Sequence, residues 1–321
     1  MNLGTRVVTQ RAITRLVSRA RDHRIAGLAF VVALASVACS NGPARAPAQP
    51  RRDAHTVALD TLLPGDEDLV VRADLARARS QSVFDDVMVW LRGAQLSDAM
   101  LDTARPCLEK ASSATLAIRL GPSGLDGDAL LRMSMPDDDS GGVPCGAKGW
   151  KATGDSGGVS VFEPQAPEHH RSAPAMILRD QAGNVLVVTP GQIDSVLRLV
   201  RDGPDAETLE PPRDAMVGLA ARVGDNALPQ AWRDKSPMVA TLARGLSTFV
   251  LRIDVGDRVN VRATLVYADG KAAADASQTL RRVHDALVRS DRGAYQAAAE
   301  AAHAQREGET IRVDMTLPRG L

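Results

Sequence analysis

The chain has 321 residues, enough for a sizeable core; 44% are apolar and 24% charged, a globular composition rather than a disordered one. Aromatics make up only 3% of the chain, which argues against the stacking platforms used on sugars or single-stranded nucleic acid. Net charge is zero overall, but residues 1–38 hold six arginines and one acid, leaving the rest at −5, with no electrostatic footprint for nucleic acid.

The elements begin with a targeting segment. Arg6, Arg11, Arg15, Arg19, Arg21 and Arg24 precede Ile25–Val37, a charge-free apolar run too short to span a bilayer as a helix. A basic start, a short apolar core and small residues before a cut form a secretory signal. Ser36-Val37-Ala38-Cys39 resembles the lipobox of bacterial lipoproteins, with Ser36 where Leu is usual. The resemblance implies diacylglyceryl attachment to the Cys39 thiol and cleavage just before it. Ser40 in the next position resembles lipoproteins sorted to the outer membrane. A conventional signal peptide and an Arg-rich mitochondrial presequence are the other readings of this start. Pro43, Pro47 and Pro50 among alanines then form an extended tether. Residues 1–38 are thus expected as signal peptide and 39–54 as lipidated cysteine and tether.

The folded body is expected in two parts, 55–204 and 205–321. Leu69–Ala73 reads as a strand. Ser82 opens a helix to about Leu91, and a second helix from about Ser97 is interrupted at Pro106. Ala114–Leu120 and Asp128–Met135 form a hairpin, and Pro136–Trp150 is a loop. Short strands follow near Val159–Phe162, Met176–Arg179 and Val185–Thr189. Thr189-Pro190-Gly191-Gln192 starts a helix, with Thr189 as cap and Gln192 reaching back to it.

The second part repeats the order: strand Ala215–Ala221, a helix restarted at Ser236-Pro237, and a hairpin of Leu246–Asp254 with Arg258–Tyr267. An amphipathic helix, Lys271–Val288, an Ala-rich helix and a last strand, Thr310–Leu317, complete it. The fold expected is α+β: two related units, each a mostly antiparallel sheet with helices packed on one face. The stretch from Leu63 through Leu75, together with Asp269-Gly270-Lys271, resembles exported bacterial proteins to which no activity attaches.

With Cys39 lipidated, Cys107 and Cys145 remain, and an exported protein permits a disulfide between them. Unpaired buried thiols are the other reading. Gly154-Asp155-Ser156-Gly157-Gly158 spells a serine-hydrolase string, but no strand-then-helix context surrounds Ser156. Ala301-Ala302-His303 follows it instead of preceding it, and His55 lies beside the tether. His169-His170, Asp137-Asp138-Asp139 and His284 lack metal-ligand or catalytic spacing. Phosphate loops, dinucleotide fingerprints and zinc signatures do not occur in the sequence.

No catalytic, cofactor or metal residue is therefore assigned, and no cofactor is expected. The function expected is a non-enzymatic binding or scaffold module of the cell envelope. It would contact the membrane through its lipid and an envelope protein through sheet edges or a groove between halves. A periplasmic hydrolase whose residues converge only in three dimensions is the alternative.

Overall fold

A computed structural model describes residues 58–93, 98–121, 124–135, 142–156, 158–166, 173–203, 208–223, 237–289 and 293–319. Strand β1 (Leu69–Asp74) leads into helices α1 (Leu75–Ser80), α2 (Phe84–Gly93) and α3 (Asp98–Leu108). The hairpin β2 (Ser113–Gly121) and β3 (Gly124–Ser134) follows. Next come β4 (Trp150–Ser156), β5 (Val159–Pro164), β6 (Met176–Asp180), β7 (Asn184–Val188) and helix α4 (Ile193–Asp202). The remainder is β8 (Val217–Arg222), α5 (Pro237–Ala243), β9 (Leu246–Val255), β10 (Arg258–Tyr267), α6 (Gly270–Val288), α7 (Gly293–Ala301), β11 (Ala302–Glu307) and β12 (Thr310–Pro318).

The expected pair of α+β units, each with its own sheet, does not form. All twelve strands join one antiparallel sheet in the order β11-β12-β10-β9-β8-β1-β2-β3-β7-β6-β5-β4. The junction is direct pairing of β1 with β8, from Leu69 opposite Ala221 to Ala73 opposite Val217. Its cause is visible in both strands. Leu69-Val70-Val71 and Leu219-Ala220-Ala221 are apolar at successive positions and buried. A strand with no polar side and an uncovered edge would leave apolar surface and backbone groups exposed, so each takes a neighbour on both sides.

Helices on one face only is the second point corrected. One face carries Val71, Leu116, Leu131, Leu219, Leu251 and Leu265, packed against α1–α3 and α5–α7. The opposite face carries Val70, Ala117, Leu130, Leu186 and Val188. It is covered by the 3-10 turn Leu59–Thr61, by Leu62 and by Val196, Leu199 and Val200 of α4. This second layer sits over β1–β3 and β5–β7. On β10 the same face is open, and burial there alternates along the strand.

Local signals explain several elements. Asp74 caps α1 by accepting from Arg77 N at 2.8 Å, and Asp269 caps α6 by accepting from Ala272 N at 2.7 Å. Pro106 does not stop α3; it lies in the last turn, and the helix ends two residues on at Leu108. Thr189 does not cap with its side chain. Its hydroxyl instead accepts from Ala129 N at 2.8 Å and donates to Ala129 O at 3.1 Å, tying it to β3.

Two strands fall outside the elements expected from sequence. β4 lies at the end of the expected loop and through the Gly-Asp-Ser segment, and β11 follows the Ala-rich helix. They are the two edges of the sheet.

Candidate functional site

Cys39, His55, Asp137–Asp139 and His169-His170 lie outside the described residues. Cys107, at the end of α3, and Cys145, in the turn Pro144–Gly146, stand at disulfide-bonding distance with Cα atoms 5.1 Å apart. Cys145 holds φ at +56, a left-handed conformation costly for a residue with a Cβ. Ser156 ends β4 opposite Val159, so strand follows it where a hydrolase elbow needs helix. Gly158 N donates to Asp155 Oδ1 at 3.1 Å, closing that turn. His303 lies on the exposed edge strand β11, and His284 is exposed on α6, 3.4 Å from Asp285. His303 on β11 and Ser156 on β4 belong to opposite edge strands of the sheet. Among the described residues, no three His, Cys, Asp or Glu side chains gather as metal ligands.

The main polar cluster is one that sequence reasoning missed. It lies at one end of the central strands, where β1 begins, β2 ends and β3 begins. Glu67 is 1% exposed and Gln192 0% exposed, and Gln192 Nε2 donates to Glu67 Oε1 at 2.8 Å. Burial pushes the Glu67 carboxyl up to about 8, outweighing the pull of Arg119. Burial also raises Asp68, although Leu120 N donates to its Oδ2 at 2.8 Å. Arg119 is bonded to Asp66, and Arg222 Nη1 donates to Gly65 O. Asp128 is buried against the entry to α4. A Cβ on Gly191 would lie 2.1 Å from Asp128 Oδ2, so any larger residue would have to displace that buried carboxyl.

Two orphan atoms specify the state of this cluster. Glu67 Oε2 and Gln192 Oε1 are buried without a hydrogen-bond partner among the described residues. Two acceptors cannot satisfy each other, but a protonated carboxyl has a hydrogen to donate. A neutral Glu67 can thus form a two-bond ring with the Gln192 amide, returning to Oε1 the bond it receives from Nε2. The pair ties the entry of β1 to the start of α4. It is sealed from solvent, which makes it a structural lock rather than a place where substrate could arrive. The faint sequence signal was the acid flanked by acids, Asp66-Glu67-Asp68; the partner, 125 residues away, left none.

The open face of the second half is different in kind. Arg252 Nε donates to Asp254 Oδ2 at 2.6 Å and also reaches Asp214. Arg77 Nη1 donates to Asp254 Oδ1 at 2.8 Å. Burial works against the Asp254 charge, but hydrogen bonds from Arg252 and Met216 N hold its carboxyl below the usual range. Arg262 stands opposite Arg252 and donates to Asp314 at 2.6 Å. Like charges facing each other across strands are each matched by an acid, giving a flat, solvated, charge-balanced face.

No protein-family model, curated protein or solved structure matches the chain.

Proposed function

We propose that the protein is a lipid-anchored lipoprotein of the cell envelope whose folded body works as a non-enzymatic binding or scaffold module. The observation that carries the anchoring is the ordered series of basic start, short apolar core, Ala38-Cys39 and Pro-rich tether. The pairing of Cys107 with Cys145 supports an exported body, since such bonds persist in oxidising compartments. The binding reading is supported by the form of the sheet. Its two edge strands are exposed, and its second half presents a broad rigid polar face. With β1 and β8 paired, the halves share one sheet, so the contact surface moves from a groove between them to this face and the edges.

The experiment is the mass and fractionation of the mature protein. Diacylglyceryl mass on a chain starting at Cys39, lost with its membrane fractionation in Cys39→Ala, is the expected result. An unmodified mass overturns the anchor. Covalent capture of Ser156 by a fluorophosphonate would overturn the non-enzymatic reading.

A further inference from the structure

On the covered part of the second face, Arg72 of β1, Thr115 of β2 and Arg132 of β3 stand side by side in register. Strands are about 4.8 Å apart, so two guanidinium groups on long stems can converge above Thr115. Gly218 of β8 comes next in the row, and Leu186 of β7 closes its other end. Pro212 lies over Gly218, whose Cβ would fall 2.5 Å from the Pro212 carbonyl oxygen. The row is therefore a short cationic floor between an apolar wall and a covering segment.

Among the described residues, neither arginine has the bonded carboxylate that several other arginines on and beside this sheet have. Arg77, Arg119, Arg252 and Arg262 each hold a carboxylate. Arg132 is half-buried, and among the described residues its hydrogen bond is Nη2 to Thr115 Oγ1 at 3.3 Å. Arg72 is half-buried too, and its Nε is sealed from solvent with no acceptor among the described residues. The surrounding charges do not compensate. Burial, Arg72 and Arg213 push Arg132 down to about 10, and Asp60, exposed on its 3-10 turn, opposes them. Arg132 stays charged at neutral pH, and Arg213 is already matched by Glu210 at 3.0 Å. Two half-buried cations with no carboxylate bonded to either among the described residues, and only the exposed Asp60 nearby, are costly unless something anionic joins them.

We propose that Arg72, Thr115 and Arg132 form a binding site for a phosphate group. Two guanidinium forks supply parallel donors that match phosphate oxygens, and two positive charges match a dianion. The Thr115 hydroxyl, accepting from Arg132, keeps its own hydrogen to donate. A carboxylate brings one charge and two oxygens, which one fork already satisfies. The site rests on the reading of the body as a binding module and names its ligand chemistry. Anchoring is tested separately through Cys39, so either reading can fail alone.

The test is titration of the full chain with inorganic phosphate at constant ionic strength, followed by calorimetry and by Tm, with acetate and chloride as controls. Phosphate is expected to bind and raise Tm where acetate and chloride do not. Arg132→Met and Arg72→Met should each weaken phosphate binding by roughly ten-fold or more, the usual scale for a charged hydrogen bond. Arg262→Met, on the open face, should leave it unchanged. Without phosphate, Arg132→Met should be at least as stable as the parent, because an uncompensated charge is gone. Should Arg132→Met not fold, Arg72→Lys serves: it keeps the charge, loses the fork, and should still weaken binding. Equal effects of phosphate and acetate, no phosphate effect, or unchanged affinity in the Arg72 and Arg132 variants would each overturn the site.

Discussion

The two halves of the sheet differ in how many faces they bury. The β1–β3 and β5–β7 region is packed on both faces, so Leu130 and Leu131, adjacent on β3, are both fully buried in different cores. On β10, Leu265 is buried while its neighbour Thr264 is only half-buried and faces the open side. One continuous ladder therefore supports two regimes, and the second layer of Leu59, Leu62 and α4 makes the difference. The charges follow the same division. Arginines of the open face are paired with acids, whereas Arg72 and Arg132, under the covering layer, bond no carboxylate among the described residues.

The largest effect expected from this contrast is in paired substitutions. Leu130→Ala and Leu131→Ala should each lower stability by about 2–5 kcal/mol, because each opens a cavity in a separate core. Leu265→Ala should cost a similar amount, and Thr264→Ala less than about 1 kcal/mol. Urea unfolding midpoints measure all four. A Thr264→Ala cost equal to that of Leu130→Ala would mean the second half is not open.

Next is the pH response of the covered half. Glu67 is raised from the ordinary 4.5 to about 8, so the folded state holds an extra proton between those values. Stability from this group is complete below pH 4.5 and is lost as pH rises to about 8. Glu67→Gln, which keeps a donor toward Gln192, should flatten this slope by up to a few kcal/mol across the window. Denaturation at a series of pH values checks it; an unchanged slope refutes a neutral Glu67.

Reduction, or Cys107→Ala with Cys145→Ala, should cost about 2–4 kcal/mol for a loop of this length. Hydrogen exchange should show the loss around α3 and the turn at Pro144, with β10 and β12 unaffected below global unfolding. Smaller still is a comparison of glycines. Gly218→Ala meets the Pro212 carbonyl and should cost about 1–3 kcal/mol. Gly256→Ala, with nothing within 4 Å, should be close to neutral. Similar values at both would remove the covering segment from the account.

Most central strands were legible as hydrophobic runs. Ala114–Leu120, Leu246–Asp254 and Arg258–Tyr267 fall within β2, β9 and β10, and Asp128–Met135 overruns the end of β3 by one residue. The two missed strands are the edges, β4 and β11, with sequences WKATGDS and AHAQRE. An edge strand exposed on most of its side chains needs no alternation of apolar residues. It is a strand because its partner offers a ladder, and that is a property of the partner. The Thr189-Pro190-Gly191-Gln192 helix start was placed correctly, yet both of its polar side chains turned to distant partners, Ala129 and Glu67.

By itself the sequence determined the local matters: which runs are strands, where Asp269 and Gly270 open a helix, and the Cys39 series that the lipid reading rests on. These depend on neighbours within a few residues, where propensity, capping and apolar period act. Tertiary structure alone decided that β1 and β8 merge two expected sheets into one. It also decided that Glu67 meets Gln192 and that Arg72 and Arg132 share a floor with Thr115 between them. Those outcomes turn on which faces are covered and which charges are desolvated together. Burial is a property of the assembled layers, so no window of sequence can state it.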